Sequence, residues 1–212
     1  MNANLQAQYQ QAAVHLSQHD LVMAELVTNH GLCTITPHQD YYRSLVESII
    51  GQQLSVKAAA AIKQRFKDLF GGTFPEPLAI LARPVVELRA VGLSYAKAQY
   101  IQDLAQHVLD GKIRFNKIDD QTNDEIIAEL TDVKGIGEWT VHMFLMFCVG
   151  RLDILPTGDL GVRNAIRDRY SLSASPSPKA VTELALKNRW HPYETVASWY
   201  LWESYDTEPF VP

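Results

Sequence analysis

Cysteine is almost absent: of 212 residues only Cys33 and Cys148 carry a thiol, distant in the chain and each among apolar neighbours. That excludes a disulfide framework and points to a reducing compartment. Long apolar runs are missing as well. No stretch approaches the ~18 apolar residues of a membrane span, so no membrane association is expected. The first residues, Met1-Asn-Ala-Asn-Leu-Gln-Ala-Gln, have neither a basic start nor an apolar core, and no secretory signal is expected there. Sustained two-residue alternation, the mark of a half-buried strand, occurs nowhere. Positive charge is not in excess either. A net charge of −5 and a pI near 5.8 argue against a protein that grips nucleic acid by bulk electrostatics. The seven histidines show no metal spacing; His15 and His19 are four apart on a polar segment with no third ligand. No phosphate-binding loop or Gly-x-Ser-x-Gly elbow is present. No cofactor is expected.

What is present is helical spacing. With 47% hydrophobic and 20% charged residues, the chain has an ordinary soluble composition and enough length to bury a core. Helices are expected over 5–16 and 21–27, the second closed by Gly31, before Thr36-Pro37 breaks the chain. A strong helix follows over 40–50. Ser55 caps another over 56–69, which Gly71-Gly72 stops, and 72–77 reads as a loop. A short helix over 85–91 ends at Gly92. Ser94 then caps a longer one with Ala98, Ile101, Leu104, Ala105, Val108 and Leu109 as its stripe. Thr122 with Glu125 forms a capping box. Helices over 160–168, 178–187 and 192–205 complete an all-α bundle of roughly ten.

The most informative stretch is Leu130-Thr-Asp-Val-Lys-Gly-Ile-Gly-Glu-Trp-Thr-Val-His-Met-Phe-Leu-Met-Phe-Cys148, followed by Pro156-Thr-Gly-Asp-Leu-Gly161. One helix enters the turn Gly135-Ile136-Gly137 and an apolar one leaves it. Two glycines flanking one apolar residue suit a tight turn with positive φ and close backbone approach. Its amides, with the start of the outgoing helix, form a site for a phosphate oxygen, and Lys134 is placed to join them. This is a helix–hairpin–helix, which holds a nucleic-acid backbone without reading sequence. Asp159 then stands where a further helix begins; alone, it reads as an N-cap. Acid is unevenly spread: Asp119, Asp120, Asp124, Glu125 and Glu129 crowd one segment, and Glu203, Asp206 and Glu208 the tail. Lys57, Lys63, Arg65 and Lys67 form a basic run, and Lys134, Arg151, Arg163, Arg167 and Arg169 bracket the hairpin; this allows a local basic face on an acidic body, and solvated helix faces account for the first run equally well.

The pattern V-K-G-I-G-E-W-T, then G-R-x-D, then P-x-x-D-L-G resembles the helix–hairpin–helix superfamily of DNA glycosylases, most closely the 3-methyladenine DNA glycosylase II (alkylation-repair) branch. Ile49-Ile-Gly-Gln-Gln-Leu-Ser-Val-Lys-Ala-Ala59 and Trp199-Tyr-Leu-Trp202 are similar to the same branch, so the resemblance runs from about Tyr41 onward. It implies one glycosylase unit over 1–212 with two lobes, about 40–154 and 1–39 plus 155–212, and an active site in the cleft between them. Some members carry a four-cysteine iron–sulfur cluster, which two cysteines cannot ligate. The N-terminal β-domain of other members is lacking, which implies a minimal form.

The resemblance makes Asp159 the catalytic carboxylate. One acid is enough, because an alkylated base already carries positive charge and leaves without a strong general acid. Members that also cut the strand have a lysine two residues after the second hairpin glycine; here Trp139 stands there, which implies a monofunctional enzyme without lyase activity. The resemblance places Trp139, Met143 and Trp202 at the base pocket, where a π face favours a cationic base; the plainer reading of each is core packing. Gln53 is the candidate plug for the hole left by the flipped base, Leu54 the second candidate, and Ser55 a minor-groove or phosphate contact as well as a cap. Gly135 and Gly137 would bind phosphate through backbone amides, and hairpin carbonyls can hold a monovalent cation. Glu194 stands where the family usually has an arginine. The expected activity is excision of alkylated purines of the 3-methyladenine and 7-methylguanine type from double-stranded DNA, by a monomer in bacterial cytoplasm or a eukaryotic nucleus. The alternative is a non-catalytic protein that binds damaged or bent DNA.

Overall fold

The structure, a computed structural model, describes residues Ala3–Tyr205. All regular elements among these are helical, as the spacing predicts. In chain order they are α1 (Ala3–His19), α2 (Leu21–His30), α3 (Tyr41–Gly51), α4 (Val56–Leu69), α5 (Pro77–Leu81) and α6 (Val85–Ala90). There follow α7 (Tyr95–Leu109), a 3-10 turn (Phe115–Asp120), α8 (Asn123–Thr131), α9 (Glu138–Phe144) and a π turn (Leu145–Val149). The last three are α10 (Leu160–Arg169), α11 (Pro178–Lys187) and α12 (Glu194–Glu203). Among the described residues twelve α-helices stand where roughly ten are expected. The addition of note is α5, which begins at Pro77 after an extended Glu76; proline suits the first helical position because its missing N–H has no intrahelical acceptor there.

The chain forms two compact units. Of the described residues, Gln39–Phe144 make one, and 3–38 with 145–205 make the other. Residues 145–154 therefore go with the outer segments, not with the middle one as expected. The π turn begins at this boundary, and the amides of Gly150 and Arg151 both reach back to the Leu145 carbonyl, each at 2.9 Å.

In the 39–144 unit, α7 packs on α3, α5 and α6. Ala98, Ile101, Leu104 and Ala105 are buried as predicted, as are Leu45, Ile49 and Ile50 of α3. The stripe ends differently. Leu109 is exposed and His107 is buried in its stead, because the imidazole finds partners in the Asp103 carbonyl (2.8 Å) and the Asp132 carboxylate (3.1 Å). The capping box at Thr122 and Glu125 is formed.

In the other unit, α12 packs on α1, α2 and α10. Its eight residues Thr195 to Trp202 are all buried. Asp20, buried, is the polar hub: Oδ1 caps α2 through the amides of Val22 and Met23, and Oδ2 accepts from Tyr170 Oη and Trp190 Nε1 (2.9 Å). A buried carboxylate is tolerated only with its lone pairs occupied, and four donors meet that demand.

Candidate functional site

Asp159 is the N-cap of α10, with extended backbone (φ −68°, ψ 126°). Its Oδ1 accepts the Val162 amide at 2.8 Å and the indole N–H of Trp202 at 2.9 Å. Two donors on one oxygen fix the plane of the carboxylate. Gly161 makes the approach possible: a Cβ there would stand 3.1 Å from both Asp159 Oδ1 and Trp202 Cδ1. Trp202 is only 3% exposed and stacks on Phe147, ring centres 5.9 Å apart. What it offers Asp159 is a hydrogen bond, a role that the resemblance did not assign.

The link before Asp159 is held by the other end of α12. Thr195 Oγ1 donates to the Arg151 carbonyl (2.8 Å) and accepts the Ile154 amide (3.2 Å), while the Thr195 amide donates to the Leu152 carbonyl (2.9 Å). One helix therefore positions the carboxylate twice, at Thr195 and at Trp202. Glu194, beside Thr195, has Oε1 3.1 Å from His191 Nδ1.

The hairpin lies in the 39–144 unit. The Ile136 amide bonds the Val133 carbonyl (3.1 Å), and the Gly137 carbonyl accepts from Val141 to start α9. Only Gly135 has positive φ, +81°, and a Cβ on it would meet the Tyr100 ring at 2.1 Å. Gly137 differs from the expectation: its φ is not positive, and the space where a Cβ would point holds no atom within 4 Å. Lys134 has its amide on Asp103 Oδ2 (2.9 Å) and its ammonium 3.7 Å from Asp103 Oδ1, with the side chain 75% exposed. The Lys134 amide is thus committed within the fold, and its side chain is the part that faces solvent.

In the corner between α3 and α4, Gln53 adopts a left-handed conformation (φ 57°), which strains a residue with a Cβ. Gln53, Leu54 and Ser55 are all exposed, and Ser55 Oγ accepts the Ala58 amide as the predicted cap. Gln52 turns inward, its Nε2 donating to the Gly135 carbonyl at 2.8 Å. One carbonyl proposed for a cation therefore already has an internal donor. Lys97 Nζ donates to the carbonyls of Ile50 (2.8 Å) and Gln52 (2.6 Å), and burial lowers its pKa. Lys97, Tyr100 and Asp103 all escaped sequence reasoning.

Trp139 and Met143 lie on α9 in the same unit. Trp139 is 37% exposed and Met143 only 2%. Between them, burial lowers the pKa of His142, partly offset by Glu138. The arginines expected to bracket the hairpin belong to the other unit and several have partners. Arg163 donates to the Pro176 carbonyl, Arg167 makes two bonds to Asp168, and Arg169 donates to the Ser204 carbonyl. In the basic run, Lys63 pairs with Glu47 at 3.2 Å and Arg65 bonds the Val91 carbonyl. Of the acidic tail, Asp206 and Glu208 lie outside the described residues.

A hairpin in one unit and an N-capping aspartate in the other, on an all-helical frame, define a class. The model of the HhH-GPD superfamily of base excision DNA repair proteins matches residues 46–192, and the chain belongs to that superfamily. The alkylbase DNA glycosidase-like protein mag2 of Schizosaccharomyces pombe is 33% identical over 200 residues, covering 92% of this chain and 93% of that one. DNA-3-methyladenine glycosylase 1 of the same yeast is 34% identical over 198 residues, 91% of this chain and 86% of its own. Among solved structures, the S. pombe 3-methyladenine DNA glycosylase in complex with abasic DNA matches with a TM-score of 0.77 at 34% identity, over 91% of this chain and 95% of that one. A DNA-3-methyladenine glycosidase from Bacillus halodurans matches with a TM-score of 0.84 at 34% identity, over 92% and 89%.

Proposed function

We propose that this chain is a monofunctional DNA glycosylase that extrudes alkylated purines, of the 3-methyladenine and 7-methylguanine type, from double-stranded DNA and hydrolyses their N-glycosidic bond as a monomer. The observation that carries this reading is the oriented carboxylate of Asp159, fixed through Oδ1 by Val162 N and Trp202 Nε1. A pure DNA binder needs no carboxylate facing phosphate-rich DNA. The names of the relatives support the substrate class.

In this mechanism the departing base takes the electron pair of the C1′–N bond, which cancels the charge that alkylation gave it. The sugar passes through an oxocarbenium-like state. Asp159 stabilises that cation and orients the water whose oxygen bonds C1′; the water's proton passes through the carboxylate to solvent. The exposed face of Trp139 suits a cationic base. Gln53 and Leu54 fill the vacated stack, with Ser55 beside them. Hairpin amides at Gly135 and Gly137, with the Lys134 ammonium, hold a phosphate. The position two residues after Gly137 is Trp139, which cannot form a Schiff base, and this supports the absence of a lyase step.

The test is release of free bases from methylated DNA, read by chromatography, for the wild type and Asp159→Asn. Asparagine keeps an Oδ1 that accepts from Val162 and Trp202, so the variant should fold and bind an abasic duplex while excision is lost. Borohydride trapping should give no covalent adduct; an adduct would sink the monofunctional assignment. The net charge of −5 and the acid at Glu194 favour the second reading, a non-catalytic binder of damaged DNA. Binding by the wild type without any base release would put that reading first.

A further inference from the structure

The α3–α4 corner and the hairpin turn stand 83 residues apart in the chain, yet Gln52 Nε2 reaches the Gly135 carbonyl. Helix α7 holds both partners from one face. Its residues Lys97, Tyr100 and Asp103 recur at a spacing of three and so lie along one side. Lys97 Nζ binds the carbonyls of Ile50 and Gln52, on either side of the point where α3 ends. Tyr100 packs against the Cα of Gly135, where a side chain would collide with its ring. Asp103 receives the Lys134 amide. The corner that carries exposed Gln53 and Leu54 is thus tied to α7 through Lys97, α7 is tied to the hairpin through Tyr100 and Asp103, and Gln52 joins corner and hairpin directly. A lysine on open surface would keep its charge hydrated. This one gives up hydration to bind two carbonyls, one of them on the residue before strained Gln53.

We propose that Lys97 is a positioning residue for base extrusion: by holding the Ile50 and Gln52 carbonyls it sets the Gln53–Leu54 wedge at a fixed offset from the hairpin. The proposal rests on the glycosylase reading above. Lys97 itself touches no base. When its ammonium is lost, the duplex still binds, but the wedge enters the stack less often.

The experiment uses the full chain and two DNA probes. One is a duplex with 2-aminopurine opposite a tetrahydrofuran abasic site, whose emission reports unstacking by the wedge without any chemistry. The other is methylated DNA in single-turnover base release. Lys97→Met should lower both the emission change and the release rate on the order of tenfold, as a displaced positioning group does, with undamaged-duplex affinity unchanged. Lys97→Arg, which keeps a cation and its donors, should restore most of both. Lys97→Gln, which keeps a donor without the charge, should give a partial version and decides the matter alone if Lys97→Met does not fold. A wild-type emission response in Lys97→Met overturns the proposal. So does an equal loss of affinity for undamaged duplex, which would make Lys97 a phosphate contact. So does a loss that follows the melting midpoint and is not rescued by arginine. If the wild type releases no base, the glycosylase reading fails, while the abasic-duplex emission still scores the brace.

Discussion

At the scale of single residues the functional question is what holds Asp159. Trp202→Phe keeps an aromatic ring against Phe147 but removes the N–H that reaches Oδ1. Excision at saturating DNA should fall on the order of tenfold or more, since a small misplacement of a reacting group is costly. Stability should fall by about 1–3 kcal/mol, the usual loss for a bond to a charged acceptor. Single-turnover rates and melting curves on the same samples check both. A rate loss without change in duplex affinity would assign the indole to orientation; a matching loss of affinity would assign it to the DNA. The N-cap role of Asp159 was legible in Pro156-x-x-Asp-Leu-Gly161, because a cap and the helix it starts are local. The N–H of Trp202 was not, because 43 residues separate the partners and spacing carries no distance. Lys97, Tyr100 and Asp103 were hidden for another reason. They share a helix whose apolar stripe dominated its pattern, and the polar positions between looked like a solvated face.

At the scale of elements, α12 decides the site. Thr195→Val keeps the shape of the side chain but leaves the buried Ile154 amide without its acceptor. The loss should be about 1–3 kcal/mol, measured by denaturant titration, and the freed link should carry excision down with it; full activity would show that Trp202 alone suffices to place Asp159. Caps were the readable part of the elements. Ser55, Ser94 and the Thr122–Glu125 box each stand where expected, because a side-chain acceptor before an apolar run has one efficient use. Helix α5 and the 3-10 turn were missed because five or six residues show no period and neither is followed by a glycine stop such as the Gly92 that marked α6. The π turn was missed because residues 141–148 are buried on every side, so an extra residue per turn leaves no trace in the pattern.

At the scale of the whole molecule, charge sets how DNA is held. Much of the positive charge counted in the sequence is spent internally, at Lys63, Lys97, Arg163, Arg167 and Arg169. These five of the 19 lysines and arginines drop out of a simple count of cations that displace counterions. The logarithm of duplex affinity should therefore fall with the logarithm of salt at a slope of about −2 to −3, as for roughly three phosphate contacts. Fluorescence anisotropy across a salt series measures it. A slope far steeper would mean that the paired arginines change partners on DNA. The composition showed the acidity, but only the pairing shows which cations are already engaged.

The division of the chain also has a consequence in time. One unit is a single uninterrupted stretch, Gln39–Phe144, while the other is split around it. A ribosome delivers residues at about 5–20 per second, so α1 and α2 emerge roughly 10 s or more before α12, on which they pack. The intervening unit holds within itself every contact described for its hairpin and α3–α4 corner, and can complete them while synthesis continues. The carboxylate cannot be set until Trp202, nearly the last described residue, has left the exit tunnel. During its making, each molecule should gain its hairpin before it has an oriented Asp159.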